Sequence, residues 1–325
     1  MSNLSLPAIL TSPILDSDRV ACKLMQDLTV YLVGPSEQEL EFLIELYEQI
    51  TPSDYLVKYK IAELDVSPRI NEPVWTASSR KATAAGINRP YFEPVRKRIR
   101  EGRAFEAQLW DGREIDDPEG SWSFSCRRIH SRSTGLHAFV RILVPLKSDT
   151  EILRTASQAM ADNVELYSGH GGLAFVYDPW FISSAFDAIY ALVRRFWGVD
   201  VEYLNGTLPL MKNGIKGINW ITILGQHLTS DNSSAVIGTA LTQLANLPDV
   251  TIESRQHGTI LKLGGQPVAG DQHRPDKSLE PYYSVARAIA PLFIDNHSDF
   301  PSERFINNAN TVGWIRRFID PDGWR

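Results

Sequence analysis

The sequence is poor in cysteine and lacks a long uncharged apolar run. Two cysteines, Cys22 and Cys126, occur in 325 residues, whereas a disulfide framework needs more cysteines in a shorter chain. Apolar runs such as residues 28–34 and 142–146 have the length of strands, well below the roughly 18 residues of a membrane helix. Residues 1–16 lack the basic stretch and continuous apolar run of a signal peptide. We therefore predict two reduced thiols and a cytoplasmic protein without membrane contact.

Familiar enzyme signatures are also missing from the sequence. It contains no G-x-S-x-G, no H-E-x-x-H and no Walker loop. The segment 169–174 (GHGGLA) fits G-x-G-x-x-A, but it follows a predicted helix and opens a strand, the reverse of a dinucleotide site. A helix C-cap is favoured there, with His170 in a capping or loop role. We predict no catalytic residues, no metal and no cofactor.

The charge balance is mildly acidic. The formal net charge is −6, which disfavours a nucleic-acid surface because phosphate binding requires a basic footprint. The same balance is compatible with a basic protein partner. A hydrophobic fraction of 43% and a charged fraction of 22% are close to the globular average and predict a sizeable core.

Turn residues separate segments of helical and strand periodicity, but these do not alternate as in a parallel sheet. The pattern predicts an α+β fold with mixed, largely antiparallel sheets and packed helices. Residues 1–25 are expected to form an N-terminal arm and residues 26–325 one domain, with a subdivision into two similar-sized halves near 147 left open. Predicted strands are 28–34, 55–64, 105–110, 122–128, 137–146, 173–177, 217–224, 250–255 and 259–263. Predicted helices begin at Ser36 and Pro94 and cover 149–166, 180–196, 234–247 and 279–290.

An acidic loop is expected between two of these strands. Residues 111–120 (DGREIDDPEG) hold five acids and one arginine, and clustered carboxylates repel one another unless a cation neutralises them. The loop could be solvated, could dock on a cationic protein surface, or could bind calcium, although it lacks the EF-hand pattern. The candidate partner-binding residues in this loop are Asp111, Glu114, Asp116, Asp117 and Glu119.

Two further groups are interpreted more simply. A basic stretch on the helix before the loop is expected to be a solvated helix face; it comprises Arg96, Lys97, Arg98, Arg100 and Arg103. Three tryptophans near charged loops fit core positions or the aromatic anchors of an interface; they are Trp75, Trp110 and Trp122.

One enzyme-like fragment remains as an alternative. Asp249 and Glu253 lie around a predicted strand, and metal-dependent nucleases place carboxylates and a lysine on neighbouring strands. Here Arg255 occupies the position at which such a site has a lysine, and the two acids are too close together in sequence for the nuclease pattern. An exposed, charged strand face is the favoured interpretation.

A series of short segments resembles a known family. The segments are Arg89-Pro90-Tyr91-Phe92, residues 105–112 (FEAQLWDG), 171–175 (GGLAF), 196–200 (FWGVD), 214–225 (GIKGINWITILG) and 264–271 (GGQPVAGD). In this order, from about Trp75 to about Ile294, they resemble the TsiV-like type VI secretion immunity family, whose members guard bacteria against nuclease toxins of the VRR kind.

The resemblance implies an immunity protein that binds a cognate nuclease toxin and occludes its active site or DNA-binding surface. It carries over no catalytic or toxin-contacting residues. An acidic loop could imitate phosphate in a basic nuclease site and speed association. The alternatives are a metal-dependent enzyme, with Asp249 and Glu253 as ligands, and an adaptor of the secretion apparatus.

Overall fold

The structure is a computed structural model of the whole chain. It describes residues 4–52, 58–63, 74–79, 92–111, 121–131, 135–230, 234–275, 277–305 and 309–324. All statements about the fold refer to these residues.

A single, mostly antiparallel sheet runs through the molecule. Its strands are β1 (Ile14–Asp16), β2 (Arg19–Leu32), β3 (Lys58–Glu63), β4 (Val74–Ser79), β5 (Phe105–Trp110), β6 (Ser123–Ser131), β7 (Gly135–Val144), β8 (Leu166–Tyr177), β9 (Asp200–Val201), β10 (Ile221–Gly225), β11 (Val250–Arg255) and β12 (Gly258–Leu263). The main order is β11-β12-β10-β8-β2-β7-β6-β5-β3-β4, with β1 beside β2 and β9 parallel to β8. The predicted α+β class is confirmed, and the strands predicted at 105–110, 122–128 and 137–146 form an antiparallel meander, β5–β6–β7.

Helices pack on this sheet. They are α1 (Ala8–Thr11), α2 (Glu37–Ile50), α3 (Phe92–Arg100), α4 (Glu151–Asn163), α5 (Ile182–Val193), α6 (Leu204–Thr207), α7 (Gln226–Ser230), α8 (Ser234–Leu244), α9 (Glu280–Ala288), α10 (Ala309–Ile315) and α11 (Pro321–Trp324). None of those in the described part of the chain is long and apolar enough to cross a membrane.

The predicted start of α2 is confirmed by a reciprocal cap. The Ser36 side chain accepts a hydrogen bond from the Glu39 backbone N–H, and the Glu39 carboxylate accepts one from the Ser36 N–H. Together the two bonds satisfy backbone donors that a helix start leaves unpaired. The start of α3, in contrast, was predicted wrongly. It begins at Phe92, ahead of Pro94, because a proline in the first turn displaces no helical hydrogen bond.

Strand β2 lies at the centre of the sheet, between β7 and β8. Residues 19–25, which the sequence assigns to an N-terminal arm, form its first half, and Ala21, Cys22, Leu24 and Met25 are buried there. Both cysteines are buried and unpaired. The sheet continues across residue 147, because β2 pairs with a strand from each side of that position.

Two apolar cores hold the layers together. In the first, α2 and α4 pack on the apolar side of β2, β5, β6 and β7. Strand β5 illustrates this packing. Phe105, Ala107 and Leu109 are buried, whereas the residues between them are half-buried. This alternation is expected for a strand with one covered face. In the second core, α5, α8 and α9 pack with the chain end around Trp197, Trp314 and Trp324.

A sharp return joins β11 and β12, which lie within one residue of the predicted strands 250–255 and 259–263. Arg255 pairs with Gly258, so Gln256 and His257 form a two-residue loop. The backbone N–H of His257 donates to the Ala161 carbonyl oxygen on α4 (2.8 Å), which attaches this hairpin to the first core.

Candidate functional site

The glycine-rich segment 169–174 lies inside strand β8. The predicted helix cap at this position is wrong: α4 ends at Asn163, and β8 runs without interruption from Leu166 to Tyr177. A Cβ on Gly169 would lie 2.9 Å from Val30 Cγ1 and 3.0 Å from the Thr29 carbonyl oxygen on β2. A glycine here is therefore explained by close packing of two central strands rather than by a turn.

His170 is a buried strand residue and not the loop or capping residue that the sequence suggested. Its side chain is 6% exposed. The imidazole Nε2 lies 2.8 Å from Glu202 Oε2 and 3.0 Å from Asp200 Oδ2. The two carboxylates are brought there by β9, the short strand that pairs in parallel with β8, and by the residue after it.

Lys216 completes this ionic cluster, which we define as His170, Asp200, Glu202 and Lys216. The ammonium Nζ donates to Asp200 Oδ2 (2.9 Å), Glu202 Oε2 (2.5 Å) and the carbonyl oxygen of Val201 (3.1 Å). The hydroxyl of Tyr31 donates to the other Glu202 oxygen at 3.1 Å. Lys216 thus uses all three ammonium hydrogens on buried acceptors.

The pKa values follow from these contacts. Burial and the Lys216 ammonium act to lower the pKa of His170, but attraction and hydrogen bonding by Asp200 and Glu202 outweigh them and raise it to about 9. For Glu202, burial acts to raise the pKa, but Lys216 and His170 overcome it and bring the value to about 2. The pKa of Asp200 is lowered in the same way. At neutral pH the cluster therefore holds two carboxylates, one ammonium and one imidazolium.

His170, Asp200 and Glu202 are residue types that bind metals, and among the described residues they form a group with ligand atoms within 4.8 Å of one another. Lys216 Nζ already lies between the same two carboxylate oxygens. Its charge occupies the position that a divalent cation would take, so the donor set does not fit a metal well.

The alternative metal ligands are not brought together with this group. Glu253 on β11 accepts a hydrogen bond from Gln158 Nε2 (2.7 Å) and pairs with Arg255. That arrangement is the charged strand face favoured by the sequence. Asp249 lies exposed, just before the same strand.

A second polar region lies on the other side of β5 and β6, opposite the first core. Glu106, Gln108 and Trp110 alternate with the buried residues of β5 and line a groove of about 360 Å³. Neighbouring strands and the segment after β9 complete the lining, with Ser123, Ser125, Arg127, Arg141 and Asn205 among the polar residues. We call this the open groove.

The predicted acidic loop joins two residues of that groove. Trp110 and Ser121, on either side of residues 111–120, both line it. Asp111 is buried, and its Oδ2 accepts a hydrogen bond from the Trp122 backbone N–H at 3.0 Å. Asp111 therefore closes the base of the loop. Glu114, Asp116, Asp117 and Glu119 lie outside the described residues.

The aromatic candidates have different environments. Trp122 is buried in the first core, Trp110 is half-buried in the groove, and the Trp75 side chain lies outside the described part of the chain. The sequence analysis missed Trp180, which is 88% exposed and directly follows the groove residue Pro179. No local pattern marks it, because it precedes an apolar helix and reads as part of that helix.

The basic stretch on α3 is largely paired. Arg96 forms an ion pair with Glu41 on α2, and Arg100 lies 3.7 Å from Glu37 on the same helix. Lys97 and Arg103 pair with Glu101 at 3.9 and 3.3 Å. The predicted solvated helix face is thus a set of partly exposed ion pairs.

These features define an α+β chain whose central strands β2 and β8 are buried on both faces of the sheet, whereas β5 and β6 keep a half-buried polar face. Its one described metal-ligand group is closed by a lysine. The chain belongs to the TsiV family, described as "Type VI immunity for VRR-NUC", which matches residues 71–318. It is accordingly a type VI immunity protein against a nuclease toxin.

The fold is similar to that of a solved structure. The "Pseudomonas aeruginosa T6SS protein PA0821" superposes with a TM-score of 0.71 at 16% sequence identity, covering 94% of this chain and 86% of that one. No curated protein sequence matches this chain significantly.

Proposed function

We propose that this protein neutralises its cognate nuclease toxin by direct binding through the open groove and the acidic loop, without chemistry of its own. The observation that carries the proposal is that Trp110 and Ser121, the residues that flank the loop, both line the groove. A toxin seated in the groove would therefore contact the loop carboxylates as well.

Charge supports a nuclease as the partner. A nuclease surface that binds DNA must be basic, because it neutralises phosphates. The loop offers Glu114, Asp116, Asp117 and Glu119, and the whole chain has a net charge of −6. Carboxylates can accept the charge-assisted hydrogen bonds that arginine and lysine give to phosphate. Bound there, they would exclude DNA from the toxin.

The groove supports a specific rather than a purely electrostatic contact. Its serine and amide side chains offer donors and acceptors of fixed position on two paired strands. Trp180 at its edge is the kind of exposed aromatic residue that supplies much of the free energy of a protein interface. Asp111 contributes indirectly, since its bond to Trp122 fixes the loop base.

The test uses the purified protein and the purified nuclease domain of its cognate toxin. We expect DNA cleavage to stop at one immunity protein per toxin. The loop variant Glu114→Lys/Asp116→Lys/Asp117→Lys should lower the association rate at least tenfold, because steering by opposite charge raises such rates by 10 to 10³-fold.

A matched control changes the net charge equally at exposed sites away from the loop: Asp249→Lys/Glu280→Lys/Glu303→Lys. It should inhibit as the parent does. An unchanged rate for the loop variant would remove the loop from the interface. Binding to parts of the secretion apparatus with no protection from the toxin would favour the adaptor alternative, and nucleic-acid cleavage that Glu253→Gln abolishes would favour the enzyme.

A further inference from the structure

A small cavity lies between the ionic cluster and the C-terminal residues Trp314 and Arg317. Its volume is about 10 Å³, which corresponds to one particle of about the size of a water molecule. Six of the residues that line it are polar or aromatic and are each at most 5% exposed: His170, Asp200, Lys216, Asn219, Trp314 and Arg317.

His170 Nε2 lies 2.8 and 3.0 Å from the carboxylates of Glu202 and Asp200, but two further donors on this lining have no acceptor among the described residues. They are Asn219 Nδ2 and Trp314 Nε1. The orientation of the Asn219 amide is fixed, because its Oδ1 accepts a hydrogen bond from the Trp220 backbone N–H at 2.7 Å. A buried donor without an acceptor destabilises the fold, because it has lost its hydrogen bonds to water and gained none in return. A ligand that accepts hydrogen bonds would relieve that cost.

The cavity wall also carries excess positive charge. Arg317 Nε donates to the Trp197 carbonyl oxygen (2.8 Å) and Nη1 to that of Trp314 (2.9 Å), and among the described residues no carboxylate accepts from it. Burial lowers the pKa of Arg317 to about 10, so it remains a cation at neutral pH. Arg317, Lys216 and the imidazolium of His170 outnumber the two carboxylates of the ionic cluster by one.

The carboxylate on the wall is already engaged. Asp200 Oδ1 accepts from the Val201 backbone N–H (2.8 Å), and Oδ2 accepts from Lys216 (2.9 Å) and faces His170. The adjacent pair of Asp27 and Arg141 adds no net charge. The cavity therefore presents hydrogen-bond donors and a positive electrostatic potential to a ligand.

We propose that this cavity binds a small monovalent anion, a halide ion such as chloride, held by Asn219 Nδ2 and Trp314 Nε1 and balanced by Lys216 and Arg317. A metal cation would face these two buried cations. A water molecule could satisfy the donors but would leave the charge uncompensated. The anion would join the chain end, through Trp314 and Arg317, to the central strand β8.

Bromide supplies a direct test, because it scatters anomalously. Crystals of the full chain soaked in sodium bromide should show an anomalous peak in the cavity, within hydrogen-bond distance of Asn219 Nδ2 and Trp314 Nε1. Water density without an anomalous peak would overturn the proposal.

Solution measurements show whether binding occurs at ordinary concentrations. The Tm should rise saturably when chloride replaces gluconate at constant ionic strength, and at ten times Kd the unfolding constant should be about elevenfold lower. Asn219→Asp keeps the acceptor for Trp220 but replaces the donor by a carboxylate, so the chloride response should disappear. Trp314→Phe tests the second donor independently.

Asn246→Asp is the matched control, since Asn246 is exposed at the end of α8. It should retain the chloride response of the parent chain. Equal Tm values of the parent in chloride and gluconate, or a response that survives in both cavity variants, would refute the anion site.

Discussion

The ionic cluster and the open groove both consist of polar side chains on the sheet, yet they differ in what surrounds them. At β8 and β9 the acids and bases are nearly fully buried and lie 2.5–3.0 Å from one another. The groove residues on β5 and β6 are half-buried, and their closest pair of opposite charges, Glu106 and Arg127, is 3.9 Å apart. Arg141 on β7 also lines the groove, but it is buried and paired with Asp27.

The difference shows how burial decides what a polar residue is available for. Buried charges must satisfy one another, because separation from water costs several kcal/mol for each ion. Partly solvated polar groups keep water as a partner and can exchange it for a ligand. The ionic cluster is thus expected to govern stability, and the open groove to govern binding. Variants of each region can show whether stability and toxin binding change independently of one another.

The largest effect is expected for Lys216→Met. The variant leaves Asp200 and Glu202 buried without their ammonium partner, and breaking a buried ion pair from one side destabilises proteins by about 3–5 kcal/mol. Urea unfolding measures the loss. Lys277→Met, at an exposed position, should cost less than about 0.5 kcal/mol. Near-parental stability of the Lys216 variant would mean that the cluster is not the structural element described above.

The cluster should also make stability depend on pH. The pKa of His170 is raised from 6.5 to about 9, so its contribution is fully present below pH 6.5 and is lost as the pH rises through about 9. By linkage this amounts to roughly 3 kcal/mol. The pKa of Glu202 is lowered from 4.5 to about 2, so its contribution is present above pH 4.5 and is lost as the pH falls towards 2.

His170→Gln tests the alkaline half of this behaviour. The variant should unfold more easily near pH 6 and should lose the decline in stability between pH 6.5 and 9, as measured by urea unfolding at each pH. Parallel curves for the variant and the parent across that range would show that His170 is not the titrating group.

The sequence predicted the elements whose signals are local. The helix start at Ser36 and the strands β11 and β12 depend on residues close together in the chain, and all three lie where the sequence predicts them to within one residue. The meander of β5, β6 and β7 was predictable for the same reason. The acidic loop was located from composition alone, whereas the burial of Asp111 depends on Trp122 across the loop.

The ionic cluster could not be predicted because its members meet only through strand pairing. His170 contacts Asp200 after a separation of 30 residues, and Lys216 follows 16 residues later. From the sequence, the glycines around His170 indicated a turn. In the structure they are needed because Val30 and Leu28 on β2 pack closely against them, and a local sequence pattern does not reveal that contact. Both features depend on contacts between residues far apart in the chain, which local sequence patterns do not reveal.

A smaller effect, confined to binding, is expected for Trp180→Ala. The side chain is 88% exposed, so stability should change by less than about 0.5 kcal/mol. If Trp180 anchors the toxin, its removal should cost about 2 kcal/mol, a roughly 30-fold weaker Kd by titration calorimetry. Ile9→Ala, which is 51% exposed in the parent, is the control for loss of exposed apolar surface. Equal affinities for the two variants would place Trp180 outside the interface.

A small effect on stability is also expected for Arg127→Met, which sharpens the comparison because it removes an ion-pair cation as Lys216→Met does. The Arg127 side chain is 26% exposed and lies 3.9 Å from Glu106, and partly solvated pairs at such distances contribute about 0–1 kcal/mol. Urea unfolding should therefore show little change, while toxin binding weakens because Arg127 lines the groove. A loss of stability comparable to that of Lys216→Met would show that the groove is held as tightly as the cluster. The two polar regions would then form one structural network rather than one closed region and one that is free to bind.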